Sequence, residues 1–379
     1  MSEVGLKLKK LGELVEIHNN KRIPLSSKER ANLSKIYPYY GAQGIVDYVD
    51  NYIFDGKNIL IAEDGENLKS NNKSICTLAT GKYWVNNHAH IVRANNENDT
   101  DYLFYKLNSI SFLPYITGSA QPKLNKENLL NIPVYVHEKA EQKNISKLLS
   151  KIDQKIALNN QINEELEAMA KTLYDYWFVQ FDFPDENGKP YKSSGGKMVY
   201  NDQLKREIPE GWGVKNLSNF ITIKNGKDHK DLSDGNYPVY GSGGLMRKVE
   251  DYIFEGESVL IPRKGTLNNI MYVDEKFWTV DTMFYTDMKI DYAALYTYFS
   301  IKDIDFTKLN TGTGVPSMTA SILYQLQILN PNADILKNFD ELVRTTYRMI
   351  FDNRKQNQEL TQLRDWLLPM LMNGQVRVE

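Results

Sequence analysis

Residues 38–65, PYYGAQGIVDYVDNYIFDGKNILIAEDG, recur without a gap at 238–265 as PVYGSGGLMRKVEDYIFEGESVLIPRKG. Twelve of the 28 positions are identical, among them Tyr40/Tyr240, Gly41/Gly241, Gly44/Gly244, Phe54/Phe254, Gly56/Gly256 and Ile61/Ile261. Chance alone gives about one or two matches for a stretch of ordinary composition. The chain is therefore a tandem duplication, and whatever one half folds into, the other must be able to fold into as well. The unit is too long for a solenoid repeat of roughly 20–50 residues. Two copies of one module suggest two similar targets, or one target with two halves.

From Trp84 onward the offset between the copies changes from 200 to 194 residues and then holds. KYWVNNHAHIV (82–92) faces KFWTVDTMFYT (276–286), and TGSAQPKL (117–124) faces TGTGVPSM (311–318). The same offset reaches the end of each module, where NQINEEL (160–166) faces RKQNQEL (354–360). Each half is a globular module followed by the same kind of tail.

The globular parts read as mainly β with some α. Short runs such as NILIA (58–62), SVLIP (258–262), HIVRA (90–94) and IPVYV (132–136) are rich in β-branched residues and bounded by Gly, Asn and Pro. The repeated glycines mark turns or bulges between such strands. The tails differ. From about Glu138 to Phe181 there is no Pro or Gly. Ile145, Ile152, Asn159, Leu166 and Leu173 fall seven apart, with Leu149, Ile156, Asn163 and Ala170 on the companion seam. The second tail repeats this with Phe339, Thr346, Asn353, Leu360 and Leu367, and with Val343, Ile350 and Asn357. These are a and d positions of long coiled-coil helices. Asn159 and Asn353 sit on an a-type position midway along each helix, where a buried Asn fixes register and partner choice at a cost in stability. Pairing between these two marks, with Ile152, Ile156, Leu166, Ile350 and Leu360 on the same seams, predicts antiparallel helices related by a pseudo-two-fold axis. The expected organisation is a module over 1–137, a helix over 138–181, a Gly/Pro/Ser-rich connector over 182–210, a module over 211–330 and a helix over 331–379. The fold class is α+β: two similar mixed modules in a pseudo-two-fold arrangement, joined by two long antiparallel helices.

Composition excludes several classes. A single cysteine, Cys76, leaves no internal disulfide framework and fits a reducing compartment. The opening MSEVGLKLKKLGELVEI lacks the apolar core of a signal peptide, and no stretch approaches the ~20 apolar residues of a membrane helix. A cytoplasmic protein is expected. The net charge of −2 does not advertise nucleic-acid binding, so a DNA-binding role would need a partner to supply much of the phosphate neutralisation.

Catalytic signatures are missing. Gly195-Gly196-Lys197 is followed by Met198 and lacks the leading Gly of a phosphate loop. GSGG (241–244) faces GAQG and reads as a turn. No acid-x-Lys follows Pro184-Asp185, and no Asn-Pro-Pro-aromatic tetrapeptide is present. His88-x-His90 has no second His or Cys cluster to complete a metal site. Binding features are better developed. The segment 19–35 carries Lys21, Arg22, Lys28, Arg30 and Lys35 against the single acid Glu29. The corresponding loop carries Lys224, Lys227, His229 and Lys230. Asn86, Asn87 and His88 follow an aromatic pair, Lys123 and Lys126 follow the TGSAQP turn, and Arg263-Lys264 closes the second repeat block. Such side chains grip phosphates and read base edges in the major groove. They cluster where the copies differ most, as two readers of different sequences on one frame would.

The duplicated YP-x-YG…YIFDG/YIFEG…LI block, the TG-x(3)-P turn before each helix, the two helical tails and the linker PYKSSGGKMVYN…REIPEGW together resemble the specificity subunits of type I restriction-modification systems. The resemblance covers essentially the whole chain. It implies two target recognition domains, each reading one half of a bipartite double-stranded DNA site, and a helical spacer that fixes the gap. It further implies docking of two methyltransferase subunits, and of translocase-nuclease subunits in the full complex. The chain itself would be non-catalytic. S-adenosylmethionine, ATP and Mg would be bound by the partners, which would carry out adenine methylation and ATP-dependent cleavage. The alternatives are the recognition subunit of a related two-subunit restriction-methylation enzyme, or a coiled-coil scaffold that binds no DNA.

Overall fold

The computed structural model describes residues 5–65, 68, 75–118, 122–310, 312 and 314–378. Parts of both TG-x(3)-P turns, at 119–121 and at 311 and 313, lie outside the described residues. The first module opens with β1 (Lys7–Lys10), the short helix α1 (Leu11–Leu14) and β2 (Val15–Ile17). A loop containing α2 (Ser27–Ala31) leads to β3 (Tyr37–Gly41), β4 (Gly44–Val49), β5 (Phe54–Asp55), β6 (Asn58–Ala62), β7 (Cys76–Ala79), β8 (Lys82–Val85) and β9 (Ala89–Ala94). Helices α3 (Thr100–Asn108) and α4 (Lys126–Leu130) and strand β10 (Pro133–Val136) precede the long helix α5 (Lys139–Tyr174). The sheets run β2-β9-β6-β7 and β4-β3-β8-β5, with β1 paired to β10.

NILIA forms β6, and its residues divide between two cores. Ile59 and Ile61 join a cluster with Leu11, Tyr102, Leu103, Ile145 and Leu149, while Leu60 joins Phe54, Tyr83, Val85 and Ile91. Successive strand residues point to opposite faces, so a strand covered on both sides must be apolar throughout.

The second half begins with a linker hairpin of β11 (Met198–Asn201) and β12 (Arg206–Pro209), then β13 (Gly213–Asn216) and β14 (Ile221–Asn225). β15 (Asp234–Gly241), β16 (Gly244–Val249), β17 (Phe254–Pro262), β18 (Met271–Thr279) and β19 (Met283–Met288) follow. Helices α6 (Ala294–Lys302) and α7 (Ala320–Tyr324), strand β20 (Gln327–Asn330) and the long helix α8 (Ala333–Met372) close the chain. The sheet order is β14-β19-β17-β18-β15-β16, with β13 paired to β20. This is the first module's topology, with β5+β6 fused into β17 and β7+β8 into β18. The first copy breaks where Gly56, at φ 115°, lies against the Arg93 guanidinium; a Cβ there would sit 2.9 Å from Nη2.

The ladders show where the offset changes. Leu60 opposes Thr77 and Leu260 opposes Met271, so the connection between those strands is six residues longer in the first copy. Val15 opposes Ala94 and Ile221 opposes Met288, an offset of 206 for the opening strands. The loop after β2 is therefore also six residues longer in the first copy. The frame is constant and two loops carry the length difference.

Residues 1–159 with 354–379 form one unit and 160–353 the other. In the first, Asp153 of α5 accepts from Arg364 of α8 at 2.8 Å, and Asn159 Nδ2 donates to Gln356 Oε1 and Asn357 Oδ1, both at 2.8 Å. Partner numbers fall as α5 advances, so the segments run antiparallel. In the second, Asn353 Nδ2 donates to Asn163 Oδ1 at 2.9 Å, and Ala170 and Leu173 line a cleft with Leu342, Val343 and Thr346. Ile152 and Ile350 are buried; Ile156, Leu166 and Leu360 are half-buried. The expected Asn159–Asn353 pair is thus corrected: each a-type Asn bonds to an Asn of the companion seam, Asn357 or Asn163. Antiparallel packing sets the a position of one helix against the d position of the other, which accounts for the crossed pattern. Asn159 is fully buried and its Oδ1 has no partner among the described residues.

The segment after α5 is more than a connector. Phe183 stacks on Trp212 (centroids 4.9 Å apart, planes 17°) and on Tyr191 (4.7 Å, 16°). Asp182 accepts from the Ser193 backbone N–H and hydroxyl, and Ile208 of β12 is buried in the same core as Trp177, Phe178 and Phe339. Among the described residues no helix is long and apolar enough to cross a membrane.

Candidate nucleic-acid interface

In the first module five segments meet at one end of the sheets: the loop 18–36, the β3–β4 turn, the stretch after β6, the β8–β9 turn and the strand-like residues around Lys123. Trp84 fastens the first loop by donating its Nε1–H to the Ile23 carbonyl at 2.6 Å. Arg22 then reaches across three segments. Its Nη1 donates to Glu63 Oε2 at 2.6 Å and to the carbonyls of Asn87 and Ala89 at 3.2 and 3.0 Å. Glu63 Oε1 lies 3.4 Å from Lys123 Nζ, and Asp64 holds His88 Nδ1 at 2.8 Å. Beneath them the buried His90 accepts from Asn19 Nδ2 at Nδ1 (2.8 Å) and donates from Nε2 to the Leu124 carbonyl (2.7 Å). Asn86 lies beside Gly41, and its Oδ1 caps the His88 backbone N–H.

Arg30 bonds Asp47 of β4 at 2.9 Å and the Leu25 carbonyl, with its guanidinium over the Tyr39 ring, and Lys35 shares the same Asp47. These contacts commit Arg22 and Arg30 to the protein's own architecture. Lys21 and Lys28 are exposed and enter no ion pair among the described residues, as does Lys126 at the start of α4.

The second module repeats the fastening with different chemistry. Trp278 donates to the Lys227 carbonyl at 3.0 Å, which makes Lys227 the counterpart of Ile23 and Gly226 that of Arg22. The Gly226 backbone N–H bonds the Met283 carbonyl at 3.0 Å, replacing the Arg22 bond to Ala89. A Cβ on Gly226 would lie 2.0 Å from the Val280 carbonyl oxygen, so the main chain fills the space the arginine takes in the first copy. Lys264 bridges to Ser317 as Asp64 bridges to Lys123, which places Arg263-Lys264 where the first module has Glu63-Asp64. Two anions become two cations. A second inversion lies on the hairpin: Asp47 receives cations from its loop, whereas its counterpart Arg247 donates to the Leu232 carbonyl at 2.5 Å and pairs with Asp234 at 3.4 Å. Lys224 pairs with Asp287 at 2.9 Å and Lys230 with Asp228 at 3.8 Å. His229 has its Nδ1 buried without a partner among the described residues. Lys227, Arg263 and Lys264 enter no ion pair among the described residues.

Burial alone would raise the Glu63 carboxyl, but the Arg22 hydrogen bond and charge, with the Lys123 ammonium beside it, hold it below the usual range. Burial pushes His18, His90 and His137 below the ordinary histidine value. His90 is therefore a neutral structural tie between the loops. Sequence reasoning missed Asn19, Asp47, Glu63 and Asp64, weighed His90 only as half of a metal pair, and missed Asn310, whose Oδ1 holds the Gly312 and Ser317 backbone N–H groups. The opposed signs of 63–64 and 263–264 were the one available signal.

Two copies of one sheet frame, each ending in a rim of divergent polar and basic loops and each continuing into a long helix, define a protein with two modules of one kind and different rims. The chain belongs to the type I restriction modification DNA specificity domain family, whose model matches residues 3–168 and again 209–350. It is 27% identical to the type I restriction enzyme MjaIX specificity subunit of Methanocaldococcus jannaschii, over 74% of this chain and 70% of that one. It is 23% identical to the MjaVIII specificity subunit of the same organism, over 98% and 92%. The crystal structure of the type I restriction-modification S subunit from M. genitalium superposes with a TM-score of 0.68 at 16% identity, over 98% of this chain and 97% of that one, which shows a shared fold. The chain is a DNA-specificity subunit, a non-catalytic role.

Proposed function

We propose that each module reads one half of a bipartite double-stranded DNA site through its loop rim, and that the two long helices set the gap between the halves and dock two methyltransferase subunits. Adenine methylation with S-adenosylmethionine, and cleavage driven by ATP and Mg in the presence of translocase-nuclease subunits, belong to those partners. The carrying observation is the constant frame with inverted chemistry at Glu63-Asp64 and Arg263-Lys264: a shared fold that presents opposite charges to equivalent positions suits two different half-sites. The free cations Lys21, Lys28, Lys227 and Lys264 are suited to phosphates, while Asn86, Asn87 and His88 are suited to base edges. The modest net charge leaves much of the phosphate neutralisation to the partners. Mapping methylated adenines in cells carrying the methyltransferase gene, with and without this chain, tests the reading. A bipartite motif that depends on the chain is expected. Methylation that is unchanged without it would contradict the proposal, and so would turnover by the pure chain alone.

A further inference from the structure

We infer that Arg263 reads a guanine in the half-site of the second module, an inference that rests on the function proposed above. Four observations lead there. The Arg263 main chain is held on both sides, its N–H donating to the Thr282 carbonyl and its carbonyl accepting from Met318, each at 2.8 Å. Its guanidinium lies over the Phe284 ring, 5.8 Å from the centroid. The residue is half-buried, yet its side chain makes no hydrogen bond or ion pair among the described residues. The same place in the first module is closed: Glu63 and His90, the counterparts of Arg263 and Phe284, are saturated by Arg22, Lys123, Asn19 and the Leu124 carbonyl.

A half-buried guanidinium with a fixed base, an aromatic rest and donors left unmatched is complete only with an external acceptor. Two parallel N–H groups of its planar fork match O6 and N7 on the major-groove edge of guanine, the commonest specific contact between proteins and DNA. Phosphates need no such positioning and are served by exposed lysines such as Lys264 and Lys227. Gly226 contributes by leaving no side chain in the position from which Arg22 neutralises Glu63.

The test is the methylated motif of the whole complex carrying Arg263→Lys or Arg263→Gln, read together with the salt dependence of DNA binding and with co-purification of the methyltransferase subunit. Arg263→Lys keeps the charge and loses the fork. Discrimination at one G·C position of one half-site should fall on the order of tenfold to a hundredfold. The other half-site and the salt slope should stay as they are. With Arg263→Gln, an intact motif with a salt slope reduced by about one would make Arg263 a phosphate contact and overturn the inference. A motif and a slope both unchanged would overturn it as well. Absence of any bipartite motif with the unaltered chain would instead sink the proposed function, and this inference with it.

Discussion

Arg22 and Lys21 are neighbours in a basic loop, and the structure gives them opposite duties. Arg22 is largely enclosed and bonds Glu63 and two carbonyls, so Arg22→Ala leaves a half-buried carboxylate with only the more exposed Lys123 beside it. A loss of roughly 3 kcal/mol in denaturant unfolding is expected, the scale seen when one partner of a buried pair is removed. Lys21→Ala should leave stability within about 0.5 kcal/mol and reduce the salt slope of DNA binding by about one if the contact is to phosphate. The reverse pattern would exchange their assignments. The buried histidines add a pH dependence. His18, His90 and His137 have folded values below the ordinary 6.5 or so, so their contribution is complete above that pH. It is lost as pH falls from there towards the folded values, because the unfolded chain takes up protons first. Glu63, with its value lowered, weakens only at still lower pH. The melting temperature should therefore drop between pH 7.5 and 5.5, and His90→Gln should flatten that drop; a melting temperature constant across this range would refute the assignment. None of this was legible in the basic loop alone, because Glu63 lies 41 residues away from Arg22 in sequence and only the fold joins them.

Strands and helices were easier to read than loops. NILIA and SVLIP are apolar on both faces because each is the middle of a sheet covered twice, and that pattern needs no partner to be recognised. The heptads of α5 and α8 were equally plain, and the antiparallel sense followed from the midpoint asparagines. Their detailed pairing departs from the expected Asn159–Asn353 contact because antiparallel packing faces a against d, a consequence that the matching midpoint marks obscure. The linker hairpin escaped notice for a related reason: its glycines and serines read as a loop, while Phe183, Tyr191 and Trp212 are brought together only by folding. Replacing Asn159, Asn163, Asn353 and Asn357 together by Leu removes a buried polar layer. Denaturant resistance should rise, and light scattering should reveal shifted or dimeric assemblies, since the polar layer specifies register at a cost in stability. A destabilised monomer would show that the asparagines stabilise the helix pair and do not merely select its register.

At the scale of the molecule, the duplication carried most of what could be known beforehand: the module count, the equivalent loops and the paired tails. What it left open is which loop residues face DNA, because recognition loops follow no transferable code and net charge gives little away. If the helices act as a spacer, a heptad inserted after Leu166 with another opposite it after Met349 keeps both seams and lengthens each helix by about 10 Å. The unspecified gap in the methylated motif should then grow by about three base pairs of ~3.4 Å each, with both half-sites unchanged. An elongated chain that methylates the original motif with its original gap would refute the spacer. The central claim is that the two modules are independent readers built on one frame. It is tested most directly by exchanging residues 1–137 for the corresponding module of another family member and mapping methylated adenines with the same methyltransferase partner. One half of the motif should change and the other should stay identical; loss of both halves in a complex that still assembles would contradict the account.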